Sequence, residues 1–305
     1  MKNSAWEITV PASTANLGPG FDSIGLALRL YLNLKIFPHH KWEVNALSHE
    51  LTCFPDDESH FIVETAIKTA AKFQTELPPC RIDIQSDIPV ASGLGSSGAA
   101  VLAGIELAHL CGDLQLSHQQ KLKMAAEFEG HPDNVGASLF GGCVVSCIVD
   151  QAIEVIPLTL PFFEVVTITP LQELKTETAR SLLPAMMPFE KAVQASSISN
   201  VMLVALMKGE FSIVGKLMEN DLFHHPYRKP LLPHYESVNQ IAKQNGAFGV
   251  AISGAGPTLA CFVRKEDRER VKISLRKAFS NYKIQALEMD ECGLTSSQIT
   301  LPMNR

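Results

Sequence analysis

The sequence predicts a two-domain protein that combines α-helices with β-strands. Its 305 residues exceed the usual size of a single domain. Short apolar runs typical of strands alternate along the chain with longer amphipathic runs typical of helices. Pro157 and Pro161 mark the expected connection between the halves, so we place the domains at residues 1–155 and 156–305.

The composition excludes several classes of protein. Hydrophobic residues make up 46% and charged residues 19%, which is ordinary for a globular enzyme. The net charge of −6 argues against a nucleic-acid partner. The chain has no apolar run long enough to span a membrane and no secretory signal at its start, so we expect no membrane partner. Seven cysteines without a C-x-x-C pair predict reduced thiols in a cytoplasmic protein.

The first elements are strands and a helix around an irregular loop. A short strand at residues 8–10 leads into residues 11–22, which read P-A-S-T-A-N-L-G-P-G-F-D. The glycines and prolines of this run predict a tight loop, and strands follow at residues 24–28 and 30–34. A helix is expected over about residues 60–73, with Ser59 as its N-cap.

Residues 87–100 read D-I-P-V-A-S-G-L-G-S-S-G-A-A and organise the first domain. They connect a predicted strand at 81–86 to a predicted helix that runs to about residue 111. Gly93, Gly95 and Gly98 let the backbone approach a ligand closely. The free N–H groups and the dipole at the start of the helix then favour a phosphate.

The glycine pattern alone is not specific. The run lacks the lysine of a P-loop, and its match to G-x-G-x-x-G is a weak signal without further motifs. Alternatively, a loop of glycine and serine can simply cap a helix without binding a ligand.

A second polar segment follows the next helix. That helix is expected to begin at Ser117 and to end at Glu127 or Glu129. The sequence E-G-H-P-D-N-V then gathers carboxylate, imidazole and amide groups, although a solvated turn could have the same composition. Glu127 and Glu129 would lie about 200° apart on a helix, so a single site can use only one of them unless the helix ends between them. A strand at residues 143–149 closes this domain.

The second domain repeats the mixture of strands and helices. Adjacent His224 and His225 could indicate a metal, but the sequence shows no third ligand nearby. The predicted strands lie at 163–169, 247–252, 259–263 and 284–287. One predicted helix begins near Thr176, and four others cover residues 190–208, 210–219, 233–245 and 266–279. A second glycine-rich turn occupies residues 253–258.

Three glycine-bearing stretches, at residues 11–22, 89–99 and 252–258, together resemble the GHMP kinase superfamily. Within it, P-A-S-T-A-N-L-G-P-G-F-D and E-G-H-P-D-N-V are most similar to the homoserine kinase family. The resemblance implies a two-domain α+β fold, with an N-terminal half like ribosomal protein S5 domain 2 and a ferredoxin-like C-terminal half. It also implies ATP-dependent phosphorylation of the L-homoserine hydroxyl, a step in threonine biosynthesis.

The resemblance assigns the first glycine loop to ATP. The residues implied are Pro89, Val90, Ala91, Ser92, Gly93, Leu94, Gly95, Ser96, Ser97, Gly98 and Ala99. It further implies Mg²⁺ held by Ser97 and a glutamate, for which we choose Glu127 and keep Glu129 as the alternative.

The resemblance assigns the remaining polar groups to L-homoserine. Asp22 and Asp133 suit its ammonium, and Arg180 and Arg228 suit its carboxylate because a guanidinium binds a carboxylate bidentately. Neighbouring polar groups complete the expected substrate site, namely Asn16, His131 and Gly254. His60 replaces an asparagine that relatives often carry near the adenine.

Asn134 stands where some GHMP kinases carry an aspartate, so we expect no general base. Phosphoryl transfer can proceed without one, because positioning and charge stabilisation supply most of the catalysis. Two alternatives remain: a kinase for another small alcohol such as mevalonate, or a non-catalytic sensor with this fold. Relatives also lead us to expect a homodimer.

Overall fold

A computed structural model describes residues 4–299 and contains two β-sheets there. The strands are β1 (Ala5–Ala15), β2 (Ile24–Pro38), β3 (Glu43–Ala46), β4 (Cys80–Ser86), β5 (Cys143–Val149), β6 (Ala152–Leu158), β7 (Glu164–Thr169), β8 (Ala247–Ile252), β9 (Leu259–Val263), β10 (Lys283–Leu287) and β11 (Thr295–Ile299). The first sheet has the strand order β11-β1-β2-β4-β3, with β5 pairing β2 and β6 pairing β5. The second sheet has the order β10-β7-β9-β8.

The helices pack on the two sheets or on one another. They are α1 (Phe61–Ala71), α2 (Ser96–Gly112), α3 (His118–Glu129), α4 (Asp133–Phe140), α5 (Thr176–Ser181), α6 (Phe189–Lys208), α7 (Phe211–Glu219), α8 (His225–Arg228), α9 (Tyr235–Gln244) and α10 (Arg268–Ala278). α2 packs on α1, α3 and β1, and most of its residues are buried. The phosphate-binding candidate therefore lies at the start of the central helix of the first domain.

β1 is longer than the sequence predicted. Residues 11–15 pair with β2 and are all buried, although the expectation was an irregular loop. A register shift between Pro11 and Ala12 accommodates the proline, which lacks an N–H for a regular ladder. The irregular segment is thus shortened to residues 16–23, and it begins directly at Asn16.

The start of α1 also differs from expectation. His60, rather than Ser59, is the N-cap, and its ring Nδ1 accepts a hydrogen bond from the Ile62 N–H. Ser59 instead bonds Asp57 in the preceding turn. By contrast, Ser117 caps α3 as predicted and forms a capping box with Gln120.

The second sheet is antiparallel. Its first and last strands along the chain, β7 and β10, lie side by side, and β9 lies between β7 and β8. This is the arrangement of a β-α-β-β-α-β sandwich. The sheets do not divide at residue 155: β6 crosses that position, and β11 returns from the second half to pair with β1. The C-terminal strand therefore completes the first sheet.

No helix within residues 4–299 is long and apolar enough to cross a membrane. All seven cysteines are free thiols. Cys143 is buried in β5, whereas Cys147 on the same strand is exposed.

Candidate active site

The three glycine-bearing stretches meet at the loop between β4 and α2. The N–H of Ser13 donates to the Leu94 carbonyl at 3.1 Å, and the Thr258 N–H donates to the Ser92 carbonyl at 3.1 Å. The Ser253 hydroxyl donates to the Gly93 carbonyl at 2.6 Å. Both other stretches therefore hold the loop by its carbonyl groups, which leaves its N–H groups for a ligand.

Gly93 and Gly95 are required at their positions by the backbone. Both have positive φ, at 84° and 72°, a region that side chains disfavour. A Cβ on Gly93 would lie 2.3 Å from the Ser253 carbonyl oxygen, and one on Gly95 would lie 2.3 Å from the Ser13 Oγ. Glycine thus permits the contacts that fix the loop.

α2 begins with an open N-terminus. Its N-cap, Gly95, offers no side-chain acceptor, so the first N–H groups of the helix have no cap. Together with the positive end of the helix dipole, they form a site suited to phosphate.

Glu129, and not Glu127, lies beside this helix start. The Ser97 hydroxyl donates to Glu129 Oε1 at 2.6 Å, while Glu127 forms an ion pair with Lys72 at 2.5 Å outside the cavity. This geometry favours Glu129 over Glu127 as the metal ligand, and the choice between them stays a prediction. The two side chains point to different sides of α3, as their separation on a helix requires.

A cavity of about 680 Å³ extends from this helix start in two directions. Its middle is lined by Val90 to Gly93 and by Gly95 to Ser97. One end is mainly apolar and is lined by Leu51, Phe54, Ile62, Ile84, Ile88 and His60. The opposite end is polar and is lined by Asn16, Asp22, His131, Asp133, Arg180, Arg228 and Gly254.

His60 presents a defined face to the apolar end. Because its Nδ1 accepts the Ile62 N–H, the neutral ring carries its proton on Nε2. Burial lowers the pKa of His60, which favours this neutral form. The ring meets Phe54 edge-on, with centroids 6.3 Å apart.

Asp22 and Arg180 face each other at the polar end. Arg180 donates bidentately to the carboxylate at 2.8 and 3.0 Å. The Asp22 N–H donates to the side chain of Asn16, which in turn donates to the Gly254 carbonyl. Asn16 and Asp22 both have positive φ, at 75° and 52°, so the short loop after β1 is held in an unusual conformation at the site.

His131 and Asp133 form a second charged pair. His131 Nδ1 lies 2.6 Å from Asp133 Oδ1, which also accepts the N–H of Asn134. The oxygens of Asp22 and Asp133 and the ring nitrogen of His131 come within 4.8 Å of one another. Two carboxylates this close provide a site for a small cation such as an ammonium.

Arg228 is buried beneath the same end. It donates to the Gly254 carbonyl at 2.9 Å and approaches His224 Nδ1 at 3.2 Å. Burial, and then the nearby charge of Arg180, lowers the pKa of Arg228 to about 10. Both guanidinium groups lie over the Phe21 ring, at 5.3 and 5.6 Å from its centre. Two adjacent cations favour a bound anion.

A third residue does lie close to the two histidines, contrary to the sequence interpretation. Asp221 comes within reach of His224 and His225, but its oxygens accept main-chain N–H groups of residues 223–225. His225 Nε2 accepts the Ile252 N–H, which leaves the ring proton on Nδ1. Burial and Arg228 lower the pKa of His224 to about 3. The cluster therefore holds the α8 segment in place and offers no open metal ligand.

Comparison with known proteins identifies the family. The models of the GHMP kinases N terminal domain and GHMP kinases C terminal match residues 60–142 and 202–281. Homoserine kinase of Bacillus licheniformis is 44% identical over 289 residues, which cover 95% of this chain and 94% of that protein. The chain belongs to the homoserine kinase family.

Two further members agree with this placement. Homoserine kinase of Halalkalibacterium halodurans is 39% identical over 304 residues, covering 98% of each chain. The crystal structure of homoserine kinase from Cytophaga hutchinsonii superposes with a TM-score of 0.84 at 25% identity, covering 96% of this chain and 97% of that one. The family confirms the predicted two-domain α+β fold and the ATP-dependent kinase class.

The cavity brings together most of the predicted residues. Every predicted substrate residue lines it, as does Ser97. Four of the predicted ATP-binding residues do not line it, namely Pro89, Leu94, Gly98 and Ala99. Leu94 and Ala99 are fully buried and support the loop from beneath. Sequence reasoning missed Leu51 and Phe54, because they lie at the end of a single 3₁₀ turn and in the bend after it, which are too short to show a periodic pattern.

Proposed function

We propose that this protein transfers the γ-phosphoryl group of ATP to the side-chain hydroxyl of L-homoserine. The products are ADP and O-phospho-L-homoserine, as threonine biosynthesis requires. The observation that carries this proposal is the polar end of the cavity, where two carboxylates and two guanidiniums line one small space. This set of charges complements a zwitterionic amino acid, whereas mevalonate has no ammonium to bind the carboxylates.

The charges of these four side chains indicate which part of the substrate each would bind. Asp22 and Asp133 would hold the ammonium of the substrate. Arg180 and Arg228 would hold its carboxylate through charged, directional hydrogen bonds. Held at both charges, the amino acid would extend its hydroxyl toward the start of α2.

The rest of the cavity accommodates ATP. Its phosphates would bind the N–H groups of the loop at residues 92–98, and the purine would occupy the apolar end. Ser97 and Glu129 supply two adjacent oxygen ligands beside these phosphates, which fits Mg²⁺. The metal, when bound, would reduce the negative charge on the transferring phosphoryl group.

The site supports transfer without a general base. Asn134 carries an amide, which cannot accept a proton from the hydroxyl. Asp133 Oδ1 already accepts hydrogen bonds from His131 and from the Asn134 N–H. We propose that the hydroxyl proton passes to the phosphoryl oxygens during transfer.

A coupled assay of ADP release with L-homoserine, L-serine, L-threonine and mevalonate tests the proposal. We expect turnover to be greatest with L-homoserine, and mass spectrometry should find the phosphate on its hydroxyl. Turnover with mevalonate alone would favour the alternative kinase. Nucleotide binding without turnover of any alcohol would favour the sensor. The cytoplasmic location and the homodimer stay predictions.

A further inference from the structure

We propose that Ser13 is a positioning residue that sets the orientation of the Asn134 amide for phosphoryl transfer. The inference rests on the proposed function of the cavity. The Ser13 hydroxyl donates to Asn134 Oδ1 at 3.0 Å, and the Ser138 hydroxyl donates to Ser13 Oγ at 3.1 Å. Ser13 and Ser138 are fully buried, so water does not compete for these bonds.

The direction of this chain of hydroxyls decides which end of the amide faces the ligands. A hydroxyl has one proton, and Ser13 uses its proton on Asn134 while it accepts the proton of Ser138. The amide oxygen is thereby held at the Ser13 hydroxyl. Within residues 4–299 the amide nitrogen of Asn134 has no hydrogen-bond partner, and Asn134 lines the cavity beside Asp133.

Asn134 consequently offers N–H donors at the place where the hydroxyl and the phosphoryl group would meet. A rotation of the amide by about 180° would turn its oxygen toward the phosphate instead, and two acceptors would then repel each other. Donors aimed at developing negative charge in a dry site are among the larger contributions to catalysis. The Ser13 proton therefore selects the productive one of two orientations of similar shape.

Ser13 contacts both this amide and the loop between β4 and α2. Its main-chain N–H holds the Leu94 carbonyl, and its Oγ lies where a Cβ on Gly95 would come within 2.3 Å. Replacement of Ser13 by alanine removes only the hydroxyl and keeps the main-chain bond. The substitution therefore separates the role of the hydroxyl from support of the loop.

The test is a double-mutant cycle with Ser13→Ala, Asn134→Ala and the double variant, measured as kcat and as KM for both substrates. We expect Ser13→Ala to lower kcat about 10-fold and to change either KM less than about 3-fold. Without the Ser13 hydroxyl, the Asn134 amide would direct its N–H donors at the phosphoryl group in only a fraction of the molecules. In the Asn134→Ala background, Ser13→Ala should have no further effect on kcat. An equal loss in that background would overturn the proposal, as would wild-type kcat in Asn134→Ala.

A milder variant and a control protect the test against a folding defect. Ser138→Ala leaves Ser13 in place but removes the bond that orders its proton, so it should lower kcat less, again only when Asn134 is present. Thr167→Val removes a buried hydroxyl that bonds the Gln285 carbonyl in the second sheet, and it should leave kcat unchanged. If Ser138→Ala and Thr167→Val lowered kcat alike, the proposal would be wrong.

The wild-type substrate panel separates this inference from the proposed function. Turnover of L-homoserine by the wild type supports the function, whatever Ser13→Ala then does. If the wild type prefers another alcohol, the same cycle is measured with that alcohol, because the amide orientation concerns the phosphoryl group.

Discussion

Arg180 binds Asp22 through both terminal guanidinium nitrogens, across 158 positions of sequence. We assign these residues to opposite charges of the substrate, and in the structure they neutralise each other. A zwitterionic substrate carries one charge of each sign. Its ammonium can pair with Asp22 in place of Arg180, and its carboxylate can pair with Arg180 in place of Asp22. The pair thus holds both charges at the cavity without leaving either group unpaired.

The arginines should determine affinity for the amino acid. Arg180→Lys and Arg228→Lys keep the charge but lose the bidentate fork, so each should raise KM for L-homoserine more than KM for ATP. The loss of one charged hydrogen bond is worth about 1.5–3 kcal/mol. Steady-state kinetics with each substrate varied in turn measure the effect.

Arg29 supplies a matched control for those variants. It pairs with Glu288 on the surface, so Arg29→Lys should leave both KM values unchanged. If the two cavity variants weakened ATP alone, the arginines would belong to the nucleotide and the substrate assignment would fail.

The two glutamates of α3 should differ sharply. Glu129→Gln removes the carboxylate beside Ser97 and should lower kcat by about two orders of magnitude, with a higher Mg²⁺ concentration needed for half-maximal activity. Glu127→Gln only breaks an exposed ion pair with Lys72, so its kcat should match the wild type. The reverse result, an inactive Glu127→Gln and an active Glu129→Gln, would restore the original choice.

His60 should act on both stability and nucleotide binding. Asparagine is a good N-cap and also carries an N–H donor, so His60→Asn should keep the free energy of unfolding and the KM for ATP. His60→Ala loses the acceptor for the Ile62 N–H and should cost about 1 kcal/mol in urea unfolding, with a raised KM for ATP. Equal stability of the alanine variant would show that the cap contributes little.

The chemistry of the site was more predictable from sequence than its local geometry. Glycine at residues 93 and 95 is needed for backbone reasons, and such positions are visible in a sequence. The strand over residues 11–15 was not, because the glycines and prolines of residues 11–22 favour a loop locally, whereas burial against β2 decides the outcome.

The choice between Glu127 and Glu129 was uncertain from the sequence for a different reason. Helix geometry required that only one of Glu127 and Glu129 face the site, but the sequence contains no signal for which one. The answer depends on where α3 meets α2, a tertiary contact. Likewise, β11 joins the first sheet by pairing with β1, which is distant in sequence, and the residues of 295–299 carry no local pattern that predicts this pairing.

His131 should stabilise the fold in a pH-dependent manner. Burial by itself lowers the pKa of His131, but the hydrogen bond and the charge of Asp133 outweigh it, so that the pKa is raised above 6.5. A raised folded pKa gives stability that is full below the unfolded value and is lost as the pH rises through the folded value. His131→Gln should therefore reduce the free energy of unfolding more at about pH 6 than at about pH 9. An equal reduction at both would show that the pair is not charged.

The same raised pKa argues that His131 is not the base for the reaction. With Nδ1 bonded to Asp133, the protonated ring is a donor and cannot accept the hydroxyl proton of the substrate. We expect His131→Gln to raise KM for L-homoserine while the pH profile of kcat keeps its wild-type shape. The measurement is kcat at saturating substrates from about pH 5.5 to 9, a range chosen to span the usual pKa of histidine. An acidic limb in the wild type that disappears in His131→Gln would identify the histidine as the proton acceptor, and direct transfer of the proton to the phosphoryl group would then be wrong.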